Sequence, residues 1–143
     1  MMIDIRPKTD RGFFAEIYGA DLKDCSDADF AFIKDAHLTH GVIAIRDQNL
    51  TPAQQISFSK RFGPLSIHVL EEQLLAGHPE ILLVTNKKEN GQFLGIPDLG
   101  RKWHTDQSYE ERPALGSLLY ALEVPEDGSG DTWFADMTAA YEA

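Results

Sequence analysis

Residues 100–113 read GRKWHTDQSYEERP and place His104 and Asp106 one residue apart, directly after Trp103. In an extended strand the side chains at i and i+2 point to the same face, so this imidazole and this carboxylate would project together while Thr105 points away. Imidazole nitrogen plus carboxylate oxygen is two thirds of the two-histidine, one-carboxylate triad that holds non-haem Fe(II) and leaves an open face for other ligands. The tripeptide alone leaves a second reading open, a strand-end histidine hydrogen-bonded to its neighbouring aspartate. The third ligand is the difficulty. The histidines of the chain are His37, His40, His68, His78 and His104, and none follows Asp106.

The upstream histidines differ in what they offer. His37 and His40 fall three apart in the last turn of a predicted helix, where the helix dipole favours histidine, so a structural role is expected. His78 precedes Pro79 in the turn-like AGHPE and is expected to be solvated. His68, in FGPLSIHVL, follows a helix stop and enters an apolar segment, where it lines a pocket or satisfies a core hydrogen bond.

Working outward, IDIRP and GFFAEIYG read as short strands, and SDADFAFIKDAHLTHG as a helix with Ser26 as its cap and Gly41 as its stop. VIAIRD reads as a buried strand. TPAQQISFSKRFGP is a second helix, with Thr51 as cap, Pro52 at the first helical position, Gln54 closing a capping box, and Gly63 and Pro64 ending it. EILLVTN is a further strand and KKENGQFLGIPDLG a polar loop carrying Lys87 and Lys88. Beyond the opening motif, ALGSLLYALEVP and TWFADM read as strands joined by the turn EDGSGD. Thr138 to Ala143 reads as a first helical turn with Asp136 or Thr138 as cap, with no closing signal, so the chain reads as cut short. Strands mixed with two early helices indicate an α+β domain.

Composition narrows the partners. Lys plus Arg is 13 against 23 Asp plus Glu, a net charge of −10, which repels phosphate backbones and argues against nucleic acid. No apolar run reaches transmembrane length, and MMIDIRPKTD lacks a signal-peptide core. The single cysteine, Cys25, cannot make an internal disulfide or a cysteine-rich zinc site, and it reads as an ordinary residue of the loop before a helix. A reduced, cytoplasmic setting is expected.

RDQNLTPAQQISFSKRFGPLSIH, WHTDQSYEERP and LEVPEDGSGDTWFADMTAAYEA, in this order, make the chain resemble the amino-terminal half of the TauD/TfdA family of Fe(II)- and 2-oxoglutarate-dependent dioxygenases. The resemblance runs over essentially the whole chain. It implies residues 1–143 as the N-terminal portion of one dioxygenase domain, with a partial double-stranded β-helix (a jelly-roll, cupin-like core) beside N-terminal helices. It implies His104 and Asp106 as the first two iron ligands, with the third histidine and a carboxylate-pairing arginine belonging to a half that is not here. Thr132 matches the threonine that contacts a carboxylate of 2-oxoglutarate. His68 matches a histidine that binds the acidic group of a substrate, Tyr109 an aromatic wall of the substrate pocket, and Gln107 stands beside it facing the substrate.

Two departures turn the expectation away from taurine itself: Glu71 stands where an aromatic contact is expected three residues after His68, and an expected asparagine falls near Gly100. The implied reaction hydroxylates a small anionic substrate, alkylsulfonate- or aryloxyacetate-like, with O2 consumed and succinate and CO2 released. With two of three ligands, the isolated chain is expected to be inactive, and its uncovered apolar faces invite association into a homo-oligomer. Two other classes stay open: a metal hydrolase using zinc on His104, Asp106 and an upstream histidine, and a non-catalytic binding module of the same fold. Paired-carboxylate catalysis by Glu110 and Glu111 is disfavoured, since adjacent strand residues face opposite ways.

Overall fold

The computed structural model describes residues 2–96, 100 and 102–143. These fall into two units, one built from residues up to Leu50 together with Tyr120–Ala143, the other from Thr51–Leu119. The Pro97–Leu99 part of the expected polar loop lies outside the described residues.

The first unit is organised by strand β2, Ala15–Tyr18, which pairs on both sides. Strand β1, Asp4–Pro7, runs antiparallel to it with Ile5 opposite Ile17, and strand β3, Ile43–Ile45, runs parallel with Ile17 opposite Ile45. A parallel pair needs a crossover, and helix α1, Asp27–His40, supplies it. Ser26 accepts from the Asp29 amide at its start, and Gly41, at φ 70°, ends it with its N–H on the His37 carbonyl. The helix packs against β2 and β3. Ile33 and Ala36 of the helix are buried, as are Ala15 and Ile17 of the strand. His40 is structural, its Nδ1 2.5 Å from the Gly12 carbonyl.

Strand alternation turns Glu16 to the face opposite Ile17. There its carboxylate meets Lys8 Nζ at 3.0 Å, Arg46 Nη2 at 2.5 Å and the Tyr18 hydroxyl at 2.9 Å. These charge-assisted bonds, from Lys8 first, then Arg46 and Tyr18, hold the carboxyl down at about 2 from its ordinary 4.5. The end of the chain joins this unit through Tyr120, whose hydroxyl donates to the Gln48 carbonyl and accepts from the Leu50 amide. It closes with helix α3, Met137–Glu142, capped by Asp136 rather than Thr138.

The second unit opens with helix α2, Pro52–Ser59, whose start carries the full reciprocal box between Thr51 and Gln54. Its Ile56 and Phe58 are both buried, and Phe58 meets Phe62 edge-on at 5.7 Å. Strands β4, Leu74–Leu75, and β5, His78–Leu82, pair antiparallel, and β5 packs on α2. His78 thus opens a strand, half-buried, instead of lying in a solvated turn. The expected loop holds a hairpin, β6, Lys88–Glu89, and β7, Gln92–Phe93, turned by Asn90 and Gly91, both at positive φ. After it the chain crosses back over β5's exit: the Ile96 amide donates to the Leu83 carbonyl, and a Cβ at Gly95 would lie 2.5 Å from that same oxygen.

The strands expected in residues 114–125 and 132–137 are not formed, and among the described residues none from 111 to 135 lies in a helix or strand. The cause is pairing. A strand's main-chain groups need a neighbouring strand, and apolar alternation does not supply one. Leu115, Leu119, Leu122, Trp133 and Phe134 are accordingly exposed. The described sheets have at most three strands, and with the helices they form an α+β arrangement.

Two tests follow from the first unit. Ile17→Ala deletes a fully buried side chain on the central strand, and is expected to cost about 2–5 kcal/mol in denaturant unfolding. The Glu16 carboxyl has a folded pKa below its unfolded one, so its contribution is complete above about 4.5 and is lost as pH falls toward about 2. Melting temperatures between pH 5 and about 2 should therefore drop more steeply in the natural chain than in Glu16→Gln.

Candidate active site

His104 and Asp106 converge, but not on a strand. Residues 103–105 are irregular and Asp106 opens a turn that carries Gln107 at φ 53° and closes with the Glu110 amide on the Gln107 carbonyl. A left-handed residue ends an extended run, which is why the expected strand stops at the motif. Proximity comes instead from the turn: His104 Nε2 lies 3.3 Å from Asp106 Oδ1.

The outer contacts fix what each group presents. His104 Nδ1 lies 2.7 Å from the Lys102 carbonyl, a pure acceptor, so Nδ1 carries the proton and donates it there. Nε2 of the neutral ring is therefore a lone pair, and it faces a carboxylate oxygen. Asp106 Oδ2 accepts from the Ser117 hydroxyl at 2.7 Å, which leaves Oδ1 as the oxygen turned toward the imidazole. Two acceptors at 3.3 Å repel unless a proton or a cation lies between them. Bonds of about 2.1 Å at a right angle put two donors of one divalent ion about 3 Å apart, close to what is seen. A backbone carbonyl on the remote nitrogen is also the usual second contact of a metal-binding histidine. The two side chains fit a divalent metal. Among the described residues no group of three His, Cys, Asp or Glu side chains is assembled to hold one.

His68, Gln107 and Tyr109 come together. With Ser66 and Arg112 among the other lining residues they border a cavity of about 210 Å³ in the second unit. His68 sits in the irregular segment after α2, half-buried, and its Nδ1 accepts from the Leu70 amide at 3.1 Å. Gln107 Oε1 accepts from the Ala114 amide at 3.0 Å. Tyr109 is largely exposed, and so is Thr132, which belongs to the first unit. Arg112 and Ser117 went unnoticed in the sequence. Arg112 lay inside the opening motif, whereas Ser117, 11 residues past its partner, carried no periodic signal.

Residues 4–143 match the family model described as Taurine catabolism dioxygenase TauD, TfdA family. The chain belongs to that family. It is 34% identical over 140 residues to a (S)-phenoxypropionate/alpha-ketoglutarate-dioxygenase of Sphingobium herbicidovorans, covering 98% of this chain and 47% of that protein. It is 38% identical over 112 residues to pentalenolactone F synthase of Streptomyces arenae, covering 73% and 36%. An alpha-ketoglutarate-dependent sulfonate dioxygenase of Saccharomyces cerevisiae is 32% identical over 89% of the chain and 32% of its own length. The crystal structure of a taurine dioxygenase from Burkholderia xenovorans superposes with a TM-score of 0.50 at 31% identity, over 54% of this chain and 28% of that one. The chain thus spans less than half the length of these relatives. No helix among the described residues is long and apolar enough to cross a membrane.

If the Lys102 carbonyl and the Ser117 hydroxyl orient the two ligands, Ser117→Ala should weaken divalent metal binding by about tenfold or more without unfolding the chain. Mn(II) titration followed by electron paramagnetic resonance reads this directly.

Proposed function

We propose that this chain contributes the first two iron ligands, part of the 2-oxoglutarate site and part of the substrate pocket of an Fe(II)- and 2-oxoglutarate-dependent dioxygenase. The observation that carries the reading is the facing pair of acceptors, His104 Nε2 and Asp106 Oδ1, with each side chain's other polar atom already committed. The names of the relatives support 2-oxoglutarate for that position, and the family resemblance with the mixed nitrogen and oxygen donor set supports iron. By the resemblance, the third histidine and the arginine that pairs with 2-oxoglutarate belong to the stretch of the relatives that this chain does not span. We assign residues 1–143 to one domain with them, and the run from 111 to 135, which lies outside any helix or strand, to the jelly-roll sheets of that domain.

Each side chain then has a task. His104 Nε2 and Asp106 Oδ1 hold the metal, and Lys102 and Ser117 keep them in register. The Thr132 hydroxyl donates to a carboxylate of 2-oxoglutarate. His68, Gln107 and Tyr109 bind and orient the substrate, with Tyr109 as an apolar wall. Bound there, iron with 2-oxoglutarate supplies O2-dependent hydroxylation, one oxygen atom passing to succinate and the other to the substrate while CO2 leaves. The substrate class is a small organic acid of the aryloxyalkanoate or alkylsulfonate kind, and the setting is cytoplasmic.

Anaerobic addition of Fe(II) and 2-oxoglutarate is expected to produce a visible charge-transfer absorption that His104→Ala and Asp106→Ala both abolish. Oxygen-dependent succinate formation on a panel of aryloxyacetates and alkylsulfonates then tests the chemistry. Hydrolysis supported by zinc, with no need for oxygen or 2-oxoglutarate, would overturn the reading.

A further inference from the structure

The cavity bordered by His68, Gln107 and Arg112 has a polarity that its residue types alone do not reveal. Histidine and glutamine each offer both donors and acceptors. Here the one lone pair of the neutral imidazole and one of the two on the glutamine oxygen are engaged by main-chain amides. The Leu70 N–H occupies Nδ1 of His68, so the ring proton of the neutral form must sit on Nε2, and His68 is left as a donor. The Ala114 N–H occupies Oε1 of Gln107, which leaves the side-chain NH2 with two protons to give and no protein acceptor among the described residues. Arg112, on the same lining, can only donate. Gln107 is held in this pose by a backbone in the left-handed region, φ 53°, which a glutamine adopts only where its surroundings enforce it.

We propose that Gln107 and Arg112, together with His68, form a donor-lined receptor for the oxyanion head group of the substrate, and that these two residues set its preference for an acid over its neutral analogue. The assignment rests on the reading of this cavity as the substrate site, but it does not depend on iron. Arg112 supplies the charge and a planar fork that matches a carboxylate. Gln107 and His68 supply neutral donors on the same lining. Glu110 also borders the cavity and opposes them, so its charge weakens the same ligand.

The test uses the metal-free 143-residue chain with two probes of nearly the same shape, phenoxyacetate and phenoxyacetamide, their affinities read by calorimetry and by amide shifts in NMR. The natural chain should bind the acid about tenfold or more tightly than the amide, and added salt should shrink the difference. Arg112→Met should remove most of that preference and Arg112→Lys restore part of it. Gln107→Glu keeps an oxygen for the Ala114 amide while replacing the NH2 by a second acceptor, and should weaken the acid by about tenfold while sparing the amide. Glu110→Gln should tighten the acid. Equal affinity for the two probes, binding of neither, or an acid preference unchanged in both Arg112→Met and Gln107→Glu would overturn the proposal. Because no metal is present, a chain that binds iron yet ignores probe charge loses this inference and keeps the dioxygenase reading; a chain that selects the acid but takes up no iron does the reverse.

Discussion

Main-chain groups that lie outside helices and strands still need partners, and in this chain several find them on side chains of the candidate site. The Lys102 carbonyl takes the Nδ1 proton of His104, the Leu70 amide fills Nδ1 of His68, and the Ala114 amide fills Oε1 of Gln107. Each bond is ordinary in strength. Its effect is to decide what the rest of the side chain can be: a lone pair at His104, a donor at His68, a donor at Gln107. The chemical character of both the His104–Asp106 pair and the cavity is thus set by backbone path, not by residue type alone.

The first unit uses the same currency for a different end. Glu16 lies on the central strand, and Lys8, Tyr18 and Arg46 reach it from β2 itself and from the residues flanking its neighbours' pairings with it. A carboxylate so surrounded ties three chain segments across one face of the sheet while Ala15 and Ile17 fill the other. Its demands are met wholly within the protein. The acceptors of His104 and Asp106 are met only on their outer sides. That contrast separates a buried structural charge from a pair whose facing atoms fit a divalent cation.

Local punctuation made much of the fold legible. Ser26 and Gly41 bracket α1, Thr51, Pro52 and Gln54 open α2, and Asp136 caps α3, because capping is decided by residues within one turn of each other. The β6–β7 hairpin was equally local, its Asn90–Gly91 turn standing in plain view within a segment read as loop. The strands read after Asp106 failed for the opposite reason. LLYALEV and TWFADM have the composition of strands, but pairing is a long-range property that alternation cannot report. At the site, residue types and spacing pointed to His104 and Asp106, whereas the turn that joins them, Ser117, and the tautomers that polarise the cavity depend on contacts between main chain and side chain. No pattern in the sequence encodes those.

Gly95 and Gly41 illustrate two kinds of evolutionary constraint. At Gly41 a methyl group would press on the ring of Phe13, so the crowding there would ease if that aromatic were first exchanged, although the positive φ would remain. At Gly95 the obstruction is the carbonyl of Leu83, which every amino acid possesses. No mutation elsewhere among the neighbouring side chains can clear it. The first position is partly contingent on genetic background, and the second is closed in every lineage that retains this crossing of the chain.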